Sequence, residues 1–158
     1  MKDFPCGASG SKDASSLLNA MTCFENILYT CRTRTTGTRE GSARSDDGRL
    51  DVQLTPPGAP GSGTNPEQLL AAAWSADFLS TLRRAASAHQ IAWPENSSID
   101  AQIDLVHDLH GFLLRARFTL SLPELDAEAA WLLIEAARQN SAYSRAMRGN
   151  VDMEISLA

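Results

Sequence analysis

Thr64-Asn65-Pro66-Glu67-Gln68-Leu69-Leu70-Ala71-Ala72-Ala73-Trp74-Ser75-Ala76-Asp77-Phe78-Leu79 is the stretch from which the fold reads outward. Asn65 offers a side-chain oxygen to the first unpaired amides of a helix. Pro66 suits the first helical position, and Glu67 suits the positive end of the dipole. A helix is predicted from here to about Gln90. Leu69 to Leu82 is nearly all apolar or small, which predicts a long central helix buried on most sides. Asp77 breaks this pattern. Three, four and seven residues before it stand Trp74, Ala73 and Leu70, so its stripe is apolar. An unpaired carboxylate there would cost several kcal/mol, so Asp77 must be paired, protonated or open to a pocket. A surface or interface aspartate, or one satisfied by a structural arginine, remains the plainer alternative.

On the N-terminal side, Tyr29, Thr30, Thr33, Thr35 and Thr36 predict a strand from Ile27. Asp46-Asp47-Gly48-Arg49 is a turn signal, and Leu50, Val52 and Leu54 alternate with polar residues as a half-buried strand. Prolines and glycines make Pro56 to Gly63 a loop. On the C-terminal side, Ile99, Ala101, Ile103 and Leu105 alternate with polar residues. So do Phe112, Leu114, Ala116, Phe118 and Leu120, which predicts a hairpin turning near Asp108 to Gly111. Asp126 caps a second helix carrying Ala130, Leu133, Ile134 and Ala137, and Val151 to Leu157 closes the chain as a strand. The order β-β-β-α-β-β-α-β describes an α+β domain. Residues 1–24, rich in Ser, Gly and Ala, read as a flexible extension; residues 25–158 form the domain.

The 158 residues suit one core, and the net charge of −5 argues against nucleic acid or an anionic membrane as main partner. With no membrane-length apolar run and no secretory signal, the expected location is the cytoplasm. The three cysteines, Cys6, Cys23 and Cys31, do not form a disulfide scaffold. On a strand covering Phe24 to Thr35, Cys23 and Cys31 would stand roughly 26 Å apart, far beyond the ~7 Å a disulfide tolerates. Cys31 is then expected as a small buried hydrophobe. His107 and His110 lie across a hairpin turn near Asp104 and Asp108, a spacing that reads as an exposed polar turn. No metal and no cofactor are expected. Arg83-Arg84 reads as solvated helix, and Trp74 and Trp131 as core or interface residues.

Four segments resemble the organic hydroperoxide resistance (Ohr) branch of the Ohr/OsmC family, in the same order. Gly63 to Phe78 is similar to its central-helix motif. Tyr143-Ser144 with Arg148-Gly149-Asn150-Val151-Asp152 is similar to its C-terminal motif. Thr36 to Gly41 resembles its first hairpin, and Ser45 to Val52 the next segment. The resemblance runs from about Glu25 to the C-terminus and implies an OsmC/Ohr-like fold, an intertwined homodimer with active sites at the interface. It implies that Asp77 stands where the family has its peroxidatic cysteine and Ser141 where it has the resolving one. Arg39 matches the catalytic arginine and Glu67 its glutamate partner. The family's Cys-Pro-Tyr-Ser is Ser141-Ala142-Tyr143-Ser144 here.

A thiol peroxidase needs a thiolate to attack the O–O bond and a second thiol to resolve the resulting sulfenic acid. Neither a carboxylate nor a serine can run that cycle, so the ordinary family reaction is expected to be lost. The leading expectation is a degenerate active site that binds an apolar or lipid-like small molecule, with Leu70, Trp74, Phe78 and Tyr143 lining the pocket. In it Asp77, sulfinate-like, would pair with Arg39. One alternative is a diverged enzyme using Asp77 as acid/base or nucleophile with Arg39 and Glu67. Another is residual thiol peroxidase chemistry through Cys31 or a tail cysteine.

Overall fold

The computed structural model describes residues 26–158. The expected extension over residues 1–24, with Cys6 and Cys23, lies outside them. Residues 26–32 belong to a unit separate from Thr33–Ala158 and carry no regular structure. The first strand, β1, is Thr33–Thr36, six residues later than the expected start at Ile27. Ile27, Leu28 and Tyr29 are exposed instead. Cys31 is likewise outside any strand and exposed, so the expectation of a buried hydrophobe is corrected.

In the main unit, β1 pairs antiparallel with β2 (Ser42–Ser45), which pairs antiparallel with β3 (Asp51–Gln53). The Asp46–Arg49 turn forms as expected, with Gly48 at φ 70° and its amide on the Ser45 carbonyl at 3.1 Å. The loop after β3 leads into α1, Pro66–Ala88, which Asn65 caps by accepting from the Gln68 amide at 2.8 Å. Strands β4 (Ser98–Asp108) and β5 (Gly111–Ser121) form the expected hairpin. Asp126 caps α2, Ala127–Asn140, through the Ala129 amide at 2.7 Å. An additional helix, α3, covers Ala142–Met147, and β6 (Asp152–Leu157) returns parallel to β5. The order is thus β-β-β-α-β-β-α-α-β rather than the eight elements expected. The extra helix is too short for apolar periodicity to reveal it.

The core lies between α1, α2 and β5. Trp74, Phe78, Leu82 and Ala86 recur every four residues along α1 and face Ala116, Phe118 and Leu120 of β5 with Ala130, Leu133, Ile134 and Ala137 of α2. Phe118 meets Trp74 at a centroid distance of 5.4 Å and Phe78 at 5.8 Å, both edge to face. The expectation that α1 is buried on most sides is corrected for the single chain: Ala72, Ala76 and Ser80 form an exposed stripe opposite the core. Only one stripe carries large side chains, and the small residues on the other gain little from burial. Among the described residues no helix is long and apolar enough to cross a membrane. Trp131 on α2 is 46% exposed, so it is not core.

Because Phe118 contacts both α1 rings, Phe118→Ala should lower unfolding stability by about 3–5 kcal/mol, measured by urea denaturation.

Candidate functional site

Two polar pairs stand at separate places on α1. The first joins Arg39 to Glu67. Arg39 sits in a short 3-10 turn, Thr38–Glu40, between Gly37 and Gly41. Gly37 and Thr38 both have left-handed backbones, φ 69° and 57°. A β-branched residue there is strained, by roughly 1–3 kcal/mol. Gly41 is needed because a Cβ on it would run into the Thr36 carbonyl oxygen. The Leu54 amide donates to the Gly41 carbonyl at 2.8 Å and ties the turn to the chain beyond β3. So held, Arg39 donates twice to Glu67, from Nη2 to Oε1 at 2.7 Å and from Nη1 to Oε2 at 3.0 Å. Glu67 is mostly buried and Arg39 half-exposed. The hydrogen bond from Arg39 holds the Glu67 carboxyl below its ordinary pKa, and that bond with the Glu67 charge raises Arg39 above its own.

The second pair joins Asp77 to Ser141. Ser141 ends α2 and begins α3, where its Oγ caps α3 by accepting from the Ser144 amide at 3.1 Å. With that bond accepted, its one proton goes to Asp77 Oδ2 at 2.6 Å. The Tyr143 amide donates to the same oxygen at 3.4 Å. Ser144 Oγ in turn accepts from Trp74 Nε1 at 3.0 Å. Ser141 is fully buried and Asp77 half-buried. The carboxylate on the apolar helix is therefore paired, and its partner is Ser141.

Of the four residues matched to a catalytic frame, the fold brings together Arg39 with Glu67 and Asp77 with Ser141. The expected Asp77–Arg39 contact is absent among the described residues, because Arg39 is already engaged by a full bidentate carboxylate. Glu67 and Asp77 are ten residues apart, about 15 Å along the helix axis. Of the expected ligand-lining residues, Phe78 is 0% and Trp74 1% exposed. Both pack into the core of the single chain. Leu70 is half-buried and Tyr143 is 37% exposed. A groove of about 590 Å³ passes Glu67 between Asn65, Gln68 and Ala71 of the α1 start and Ile103 and Leu105 of β4. Another, of about 330 Å³, is lined by Trp74, Ser144, Met147 and Arg148. Ser144 had no assigned role in the sequence. Its partner Trp74 lies seventy residues away in the chain, so no local signal marks it. His107 and His110 are exposed, His107 against the Phe112 ring. Among the described residues, no group of three or more His, Cys, Asp or Glu side chains could hold a metal ion.

Residues 59–156 match the family model described as OsmC-like protein. The organic hydroperoxide resistance protein of Xanthomonas axonopodis pv. citri is 37% identical over 138 residues, covering 85% of this chain and 97% of that protein. The crystal structure of the organic hydroperoxide resistance protein OhrB of Bacillus subtilis superposes with a TM-score of 0.79 at 36% identity, covering 84% of this chain and all of that one. A Vibrio cholerae organic hydroperoxide resistance protein, with captopril bound in one of its active sites, matches at a TM-score of 0.78 and 28% identity, covering 85% and 94%.

Glu67 has a lowered folded-state pKa, so its pairing contributes fully above the ordinary glutamate value of about 4.3 and fades as pH falls through the lowered one. Denaturation midpoints followed from about pH 6 to pH 3 should therefore drop more steeply for wild type than for Glu67→Gln. Parallel profiles would contradict this.

Proposed function

The chain belongs to the OsmC-like family, on its organic hydroperoxide resistance side, and from that premise we propose that it acts as a binding member of the family rather than as a thiol peroxidase. The observation that carries this reading is the 2.6 Å hydrogen bond between Asp77 and Ser141. These are the positions the motifs equate with the peroxidatic and resolving cysteines, and they touch. A disulfide would join the central helix to the segment before the last strand reversibly, one two-electron step at a time. A hydrogen bond from a serine to a carboxylate makes the same junction with no redox step. The site thus keeps its architecture and loses its electron exchange.

The proposed ligand is an apolar small molecule entering beside Asp77, with Leu70 and Tyr143 as walls. That a relative holds captopril in one of its active sites supports a small-molecule pocket in the family. The reading in which Asp77 works as acid/base or nucleophile with Arg39 and Glu67 is less favoured, because Arg39 and Glu67 are bonded to each other and Asp77 to Ser141.

We further propose that the working form is an intertwined homodimer. The two polar pairs lie apart in one chain, and α1 exposes the stripe Ala72, Ala76 and Ser80. A second copy covering that stripe would bring the Arg39–Glu67 pair of one protomer towards Asp77 of its partner. Light scattering on the eluting protein should give the mass of two chains; a monomer at working concentration would contradict the dimer.

The deciding experiment is turnover of an organic hydroperoxide with a dithiol reductant, compared between wild type and Asp77→Cys/Ser141→Cys. The expected result is no enzymatic turnover by wild type and measurable turnover by the double variant. Robust turnover by wild type would overturn the proposal, and its loss in Cys31→Ser would move the chemistry to that thiol.

A further inference from the structure

We infer that the site selects alkyl ligands whose head group donates a hydrogen bond, an alcohol or a primary ammonium, and rejects alkyl carboxylates. This rests on the binding reading proposed above and names its ligand class.

Asp77 uses one oxygen only. Oδ2 accepts from Ser141 and from the Tyr143 amide. Oδ1 has no hydrogen-bond partner among the described residues. Among the described residues, no buried side-chain oxygen or nitrogen of a non-exposed residue is left without a partner, so among them Oδ1 is not buried and reaches solvent. A carboxylate oxygen is an acceptor without a proton to give. What docks on it must therefore donate.

The surroundings supply an apolar wall. Leu70 and Ala73, seven and four residues before Asp77, share its side of α1 and are half-buried. Tyr143, whose amide touches Oδ2, is partly exposed. Arg39 is neutralised by its bidentate bond to Glu67, so wherever that pair lies relative to Asp77, it adds no net charge. The arginines further along α1, Arg83 and Arg84, are six and seven residues on, about 9 and 10 Å along the axis. A carboxylate ligand would meet the like charge of Asp77. A hydroxyl or ammonium would complete the one vacant acceptor. A cysteine at this place would impose no such selection, since a thiol has one sulfur and no second oxygen facing solvent.

The test is calorimetric titration of the full chain at neutral pH with octan-1-ol, octylammonium and octanoate, which share a chain and differ in the head group. Octanol and octylammonium should bind, and octanoate should bind at least about tenfold more weakly, as like charge at a contact requires. Asp77→Asn, checked for folding by circular dichroism, should bring octanoate to within a few-fold of octanol. Equal binding of all three by wild type would overturn this inference and leave the binding reading standing. Binding of none would overturn both. The wild-type comparison decides even if the variant does not fold.

Discussion

Phe118 lies edge-on to both Trp74 and Phe78, and this three-ring contact sets how α1 is rotated about its own axis. Aromatic rings bury large areas and prefer edge-to-face geometry, so the contact resists rotation as well as separation. With Trp74, Phe78, Leu82 and Ala86 turned inward, the opposite stripe of Ala72, Ala76 and Ser80 must face out. Asp77 immediately precedes Phe78 and lies about 100° round the helix from it. It therefore falls at the rim between the two faces. That position lets one carboxylate oxygen meet buried Ser141 while the other stays in water.

The rest of the site follows from how the chain reaches that rim. Core residues Leu133, Ile134 and Ala137 dock α2, which delivers Ser141 at its end. Ser141 then serves two masters, capping α3 through the Ser144 amide and donating to Asp77. Ser144 is held in turn by Trp74, a member of the three-ring contact. The aromatic core and the polar site are thus one connected network. Full satisfaction matters in such a network, because a buried polar group left unpaired costs more than the bond it would make. At the far end of α1, a strained turn spends backbone energy to present Arg39 to Glu67. Strain of that kind persists only where the surroundings hold it in place.

Most of the fold was legible in the sequence because its signals are local. Asn65 and Asp126 cap their helices as read, and the β4–β5 hairpin turns where Asp108 to Gly111 said it would. Residues from Ile27 looked like strand, yet the regular strand begins only at Thr33. Leu69 to Leu82 looked buried all round, yet alanine and serine are tolerated on either side of an interface. The six-residue α3 was too short to show a period.

The sequence by itself determined the family, through four ordered motifs. It also determined that the carboxylate at Asp77 needed a partner, since an apolar stripe cannot solvate charge. Only the tertiary structure decided who that partner is. Arg39, the charged candidate, is spent on Glu67, and Ser141, sixty-four residues on, takes Asp77 instead. Pairing between distant residues depends on how α1 and α2 dock. Docking is set by summed packing of many side chains, which no local pattern encodes.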